Sequence, residues 1–108
     1  MRLAAIDIGS NAARLLISDV FHSDTGKPEF QKINLVRVPL RLGFDVFEKK
    51  TISPEKESMI LSTIKAYKLL LDAYGVGLHH LKAAATSAMR DADNGIEILT
   101  RVKEETGI

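Results

Sequence analysis

The sequence predicts an α/β domain: a mixed sheet of three antiparallel strands plus one crossover strand, flanked by helices. Three observations predict it. Short apolar, β-branched runs fill the first 38 residues with turn residues between them. A helical stripe of Ile60, Ile64, Tyr67, Leu71 and Tyr74 follows, at spacings of three and four. A small-residue strand, Leu81–Ala85, then stands between helical segments, as a crossover unit requires.

Leu3–Ile8 is short and apolar and ends at Gly9-Ser10-Asn11, so it reads as a buried strand closed by a tight turn. Leu3, Ala5 and Asp7 share one face by the period of two. Ala12–Val20 is the second strand. Its three-residue connection to the first reads as a hairpin, so the two should run antiparallel. His22-Ser-Asp-Thr-Gly-Lys-Pro28 is a turn cluster, Phe30–Val38 a third strand, and Leu40-Arg41-Leu42-Gly43 a tail or loop. Ser53-Pro54-Glu55-Lys56-Glu57 is a helix start, with a capping serine, proline at the first helical position and acids in the first turn. Gly75 stops that helix. Thr86 and Ser87 are expected to cap a short helix through Met89-Arg90, which Asp93-Asn94-Gly95 breaks. Ile96–Glu105 is the last helix, with Ile96, Leu99 and Val102 expected to face inward.

Composition narrows the function. The chain of 108 residues carries 15 Lys+Arg against 14 Asp+Glu, a net charge of +1, so any anion site must be local. Basic residues are scattered without aromatic interleaving, which argues against nucleic acid as a partner. Cysteine is absent, which removes disulfides, thiol catalysis and cysteine-ligated metals. No apolar stretch approaches the roughly 20 residues of a membrane span. Asp7 interrupts the opening apolar run before it could serve as a signal peptide. The reading is a soluble, cytoplasmic protein with no membrane partner. No P-loop or dinucleotide-binding glycine pattern is present. His22, His79 and His80 lack metal-like partners and read as turn or strand-edge residues. Tyr67 and Tyr74 read as packing residues.

Three segments carry chemistry. In Asp7-Ile-Gly9-Ser10-Asn11-Ala-Ala-Arg14, Gly9 allows close backbone approach, and Ser10 and Asn11 place short polar groups beside exposed N–H donors. Arg14 adds a guanidinium fork suited to phosphate oxygens. Asp7 is placed to hold a hydrated Mg²⁺ that bridges phosphate charge. The same residues would also suit a plain hairpin whose Asp and Asn satisfy turn N–H groups. In Thr86-Ser-Ala-Met-Arg90 a strand runs into a helix start, where Thr86 and Arg90 could meet an anion; a capped helix with a solvated arginine fits equally. Arg41, in Arg41-Leu-Gly43, reads by default as a surface arginine.

Taken in order, Ala5-Ile-Asp-Ile-Gly-Ser-Asn11 with Arg14, Arg41-Leu-Gly43, and Ala85-Thr-Ser-Ala-Met-Arg90 with Asn94-Gly95 resemble the N-terminal part of the exopolyphosphatase/guanosine-pentaphosphate phosphohydrolase (Ppx/GppA) family. The resemblance implies a ribonuclease-H-like lobe of the actin/sugar-kinase superfamily, with residues 1–108 as a partial N-terminal lobe that stops before its last strand. It implies Gly9, Ser10, Asn11 and Arg14 as the first phosphate loop, Asp7 as the Mg²⁺ residue, and Thr86, Arg90 and Arg41 as further phosphate contacts. The substrate it implies is polyphosphate or a guanosine polyphosphate. Ala12 stands where the family often has a second serine. The family's general-base glutamate lies in a Ser-Gly-x-Glu-Glu-like strand, expected beyond Ile108; Glu104 and Glu105 belong to a helix end. This chain is therefore expected to be inactive alone. The alternative is a non-catalytic phosphate- or nucleotide-binding module of the same fold. Leu81–Ala85 is expected to leave an unpaired sheet edge through which the chain self-associates.

Overall fold

The computed structural model describes residues 1–108. Strands β1 (Arg2–Ile8), β2 (Ala12–His22) and β3 (Pro28–Pro39) precede helices α1 (Leu42–Lys49) and α2 (Pro54–Ala73). A single 3₁₀ turn (Leu78–His80), strand β4 (Leu81–Ala85) and helices α3 (Ser87–Asp91) and α4 (Gly95–Thr106) complete the chain. The sheet order is β3-β2-β1-β4. β1 is antiparallel to β2, β2 is antiparallel to β3, and β4 joins β1 in parallel. This is the mixed sheet the sequence predicts, with the crossover through α2 placing β4 beside β1.

The helices cover one face only. Ala4, Ile6 and Ile8 of β1 and Ala13, Leu15 and Ile17 of β2 are buried against Ile60, Ile64, Tyr67 and Leu71 of α2, Met89 of α3 and Ile98 of α4. Leu3, Ala5 and Asp7 alternate onto the opposite, open face. β1 thus buries every second residue, with Leu3, Ala5 and Asp7 on one face as read from the sequence.

The start of α2 forms as its sequence requires. The Ser53 hydroxyl accepts the Lys56 N–H at 3.2 Å, and Pro54 occupies the first helical position. Gly75, at φ +73°, follows the helix end. The β2–β3 hairpin is longer than read from the sequence, running to His22 and from Pro28, with the turn confined to Ser23–Lys27 and Gly26 at φ +80°.

Three local expectations are corrected. Leu40-Arg41-Leu42-Gly43 is no loop: α1 begins at Leu42. It has no capping side chain, and tertiary contacts hold it. Leu42 and Val46 are buried, and the Gly43 N–H donates to the Ser10 carbonyl at 2.9 Å. Thr86 does not cap α3 with its side chain; the hydroxyl donates to the Ile8 carbonyl at 3.2 Å instead. In α4 the inward residues are Ile98 and Val102, while Ile96 is 82% exposed and Leu99 half-exposed. Gly95 sets that rotation. A Cβ there would lie 1.8 Å from the Met89 carbonyl oxygen, so only glycine lets α4 start against α3 at this angle. The adjoining Asn94 exchanges two hydrogen bonds with the Ile52 backbone, at 3.0 and 2.9 Å, latching the α3–α4 junction to the entry of α2.

Candidate functional site

The β1–β2 turn closes through the Gly9 N–H, which donates to the Ala12 carbonyl at 2.9 Å. The next two carbonyls point back into the protein. Ser10 C=O accepts from Gly43 N–H, and Asn11 C=O accepts from both Leu40 and Arg41 N–H, each at 2.9 Å. The segment after β3 thus braces the turn from behind. Arg41 adopts a left-handed conformation, φ 55° and ψ 45°, to make that double contact. Such a conformation costs a non-glycine residue about 1–2 kcal/mol. Gly43 packs closely on the turn: a Cβ there would sit 3.3 Å from Ser10 Cβ.

With both carbonyls occupied behind the turn, the Ser10 and Asn11 N–H groups donate to no acceptor in the protein. They border an open concavity of about 270 Å³ lined by Asp7, Gly9, Ser10, Asn11, Ala12, Arg14 and Thr86. Thr86 arrives there through the parallel pairing of β4 with β1: its N–H and hydroxyl both donate to the Ile8 carbonyl, at 3.0 and 3.2 Å. Gly9 needs no positive φ. A Cβ on it would lie 3.6 Å from the Ala12 oxygen and 3.8 Å from Thr86 Oγ1, between two residues that line the concavity.

Asp7 and Arg14 are directly paired across β1 and β2 and both stand on the open face. No carboxylate lies within ion-pair distance of Arg14, and no base of Asp7; the ion pairs of this chain are formed by Arg2, Lys65, Lys68 and Arg101. A free carboxylate, a free guanidinium and two free amides therefore share one hollow, an arrangement that suits an anion together with a hydrated cation. Asp7 is a single carboxylate; no group of three or more His, Asp or Glu residues gathers anywhere in the fold. That donor set fits Mg²⁺, which keeps several waters and takes one or two carboxylates plus phosphate oxygens.

Behind the turn, Tyr67 of α2 is buried, with its single hydroxyl proton shared between the Ala13 and Val36 carbonyls, at 3.1 and 3.0 Å. Burial, then the Asp7 charge, raises its phenol above the ordinary value. Tyr67 is thus a packing residue, as read from the sequence, and it holds β2 and β3 together one residue before Arg14.

Of the residues singled out in the sequence, Asp7, Gly9, Ser10, Asn11, Arg14 and Thr86 converge. Arg41 and Arg90 do not line the hollow. Arg41 contributes backbone to the brace behind it, and both side chains are exposed. The segment Thr86–Arg90 thus divides: Thr86 lines the hollow, and Arg90 of the five-residue helix α3 stays outside it.

A four-stranded mixed sheet in this order, with a crossover helix and a polar turn at the end of its first hairpin, defines an actin-like, ribonuclease-H-like lobe. The chain belongs to the Ppx/GppA phosphatase family, whose model matches residues 20–108. It is 33% identical over its full length to Exopolyphosphatase 1 of Mycobacterium tuberculosis, of which it covers 30%. It is 35% identical, over 97% of its length, to a bifunctional 3-dehydroquinate synthase/phosphatase of Fusobacterium nucleatum, covering 16% of that protein. Among solved structures, the Aquifex aeolicus Ppx/GppA family member superposes with a TM-score of 0.87 at 36% identity, and an exopolyphosphatase from Cytophaga hutchinsonii with 0.84 at 30%. The chain is covered completely in both and spans 33% and 32% of those chains. It corresponds to their N-terminal part.

Proposed function

We propose that residues 1–108 form the phosphate-binding lobe of an exopolyphosphatase-type phosphohydrolase. In the full-length protein it would release terminal orthophosphate from polyphosphate or a guanosine polyphosphate in the cytoplasm. The observation that carries this is the turn Gly9–Asn11, whose carbonyls are tied behind it while the Ser10 and Asn11 N–H groups stay unpartnered beside Arg14. In this reading those amides, the Ser10 hydroxyl and the Arg14 fork hold the terminal phosphoryl group. Thr86 closes the far wall, and Gly9 keeps it free of a side chain.

Asp7 would hold Mg²⁺ through water and phosphate oxygens, and the ion would offset charge on the transferring group. The glutamate that orients the attacking water is proposed to lie outside residues 1–108, so these residues supply placement and charge, the main demands of phosphoryl transfer. Arg41 and Arg90 are exposed and stand outside the hollow.

The test is Arg14→Ala in the full-length protein, assayed by orthophosphate release. Loss of one preorganised donor should cost about 2–4 kcal/mol in the barrier, roughly 30- to 1,000-fold in rate. A rate within twofold of wild type would remove Arg14 from the site. Phosphate binding without any turnover by the full-length protein would favour the non-catalytic module.

A further inference from the structure

On the open face, the register places Arg14 directly opposite Arg37 of β3, just as it places Asp7 opposite Arg14. Val36 and Val38 pack against the core, so the alternation of β3 puts Arg37 on the face that carries Arg14. Three charged residues thus form one row across three strands, Asp7, Arg14 and Arg37, starting at the polar hollow and leading away over β3. Both arginines are exposed, and neither has a hydrogen-bond or ion-pair partner in the chain. Like charges directly opposite each other on neighbouring strands are unfavourable. Two unpartnered arginines opposite each other on strands about 4.8 Å apart can form a clamp for an anion with more than one charged group. Consecutive phosphoryl groups of a phosphoanhydride chain can bridge such a spacing; a single orthophosphate in the hollow needs only Arg14.

We propose that Arg37 is the second phosphate arm of this site, holding the phosphoryl group next to the one bound by the Gly9–Asn11 turn and Arg14. The bound chain then leaves over β3, on the side away from β4. This rests on the reading of the turn as a phosphate cradle and adds to it a residue of β3 that holds the neighbouring phosphoryl group.

The experiment is calorimetric titration of the chain with sodium orthophosphate and with sodium tripolyphosphate at matched ionic strength. Wild type should prefer tripolyphosphate by about tenfold or more, the scale of one added charge-assisted contact. Arg37→Gln should collapse that preference while leaving orthophosphate affinity unchanged, and Arg14→Gln should weaken both ligands. Lys27→Gln, at the distant hairpin turn, removes the same charge and should leave the preference intact. A preference that survives Arg37→Gln, or that Lys27→Gln erodes equally, overturns the role of Arg37 and leaves the cradle standing. Failure of wild type to bind either anion overturns the cradle, and the second arm with it.

Discussion

The Arg2–Asp19 pair joins neighbouring strands at the end of the sheet away from the polar hollow. The guanidinium grips the carboxylate at 2.8 and 3.2 Å and donates a third bond to the Tyr74 carbonyl at 3.0 Å, where α2 ends. The hydrogen bond from Arg2 holds the Asp19 carboxyl below its ordinary range, against a smaller opposing effect of desolvation. An acid more readily ionised in the fold than in the unfolded chain adds stability above the unfolded pKa of about 3.9. That contribution disappears as pH falls through the lower folded value. Denaturant melts from pH 6 to pH 2 should therefore show an acid-limb loss in wild type that is smaller in Asp19→Asn. Parallel curves for the two proteins would mean that the pair adds nothing. The contribution is modest, since both side chains are partly exposed.

Single elements differ in how far neighbouring residues determine them. α2 was legible because Ser53-Pro54 and the apolar stripe are local signals, and the structure uses both. α1 was not, because its first turn holds Arg41 and Gly43 and no cap; contacts with Ser10 and Asn11, some 30 residues away, define it. The position of α4 is legible in the sequence, and so is the burial of Val102, but the rest of its inward face is not. Ile96, Leu99 and Val102 make as good an apolar path on paper as Ile98 and Val102. Packing of Gly95 on the Met89 carbonyl decides between them. Gly95→Ala should force these backbones apart and cost about 2–4 kcal/mol. A thermal melt should show the midpoint falling by more than about 10 °C. An unchanged midpoint would mean that the close approach of α3 and α4 is not required for folding.

At the scale of the whole molecule, the sheet exposes β4 as an edge. Its five residues read Leu81-Lys-Ala-Ala-Ala85, and Lys82, Ala83 and Ala84 are exposed. An apolar groove of about 250 Å³ runs beside it, lined by Ile64, Ala83, Ala85, Leu99, Val102 and Ile108 among others. A short edge bearing a lysine resists pairing, whereas apolar surface next to it invites association. The second effect should win at high concentration, and light scattering should show the mean mass rising above 11.9 kDa as the chain is concentrated. A constant monomer mass would contradict this. The hollow itself is legible in outline from the spacing of Asp7, Gly9, Ser10, Asn11 and Arg14, which lie in adjoining strands and their turn. Thr86 reaches it through a hydrogen bond to Ile8, 78 residues away in sequence, and Arg37 is set beside Arg14 by a pairing 23 residues away. Only the assembled sheet displays those pairings.

Amide resonances of a ¹⁵N-labelled chain, followed while orthophosphate is added at constant ionic strength, test the central claim most directly. The Ser10 and Asn11 N–H signals should move saturably and further than any others, with the Arg14 side-chain Nε–H moving alongside them. Stationary Ser10 and Asn11 signals, with small shifts scattered over surface lysines, would show that the turn does not hold phosphate.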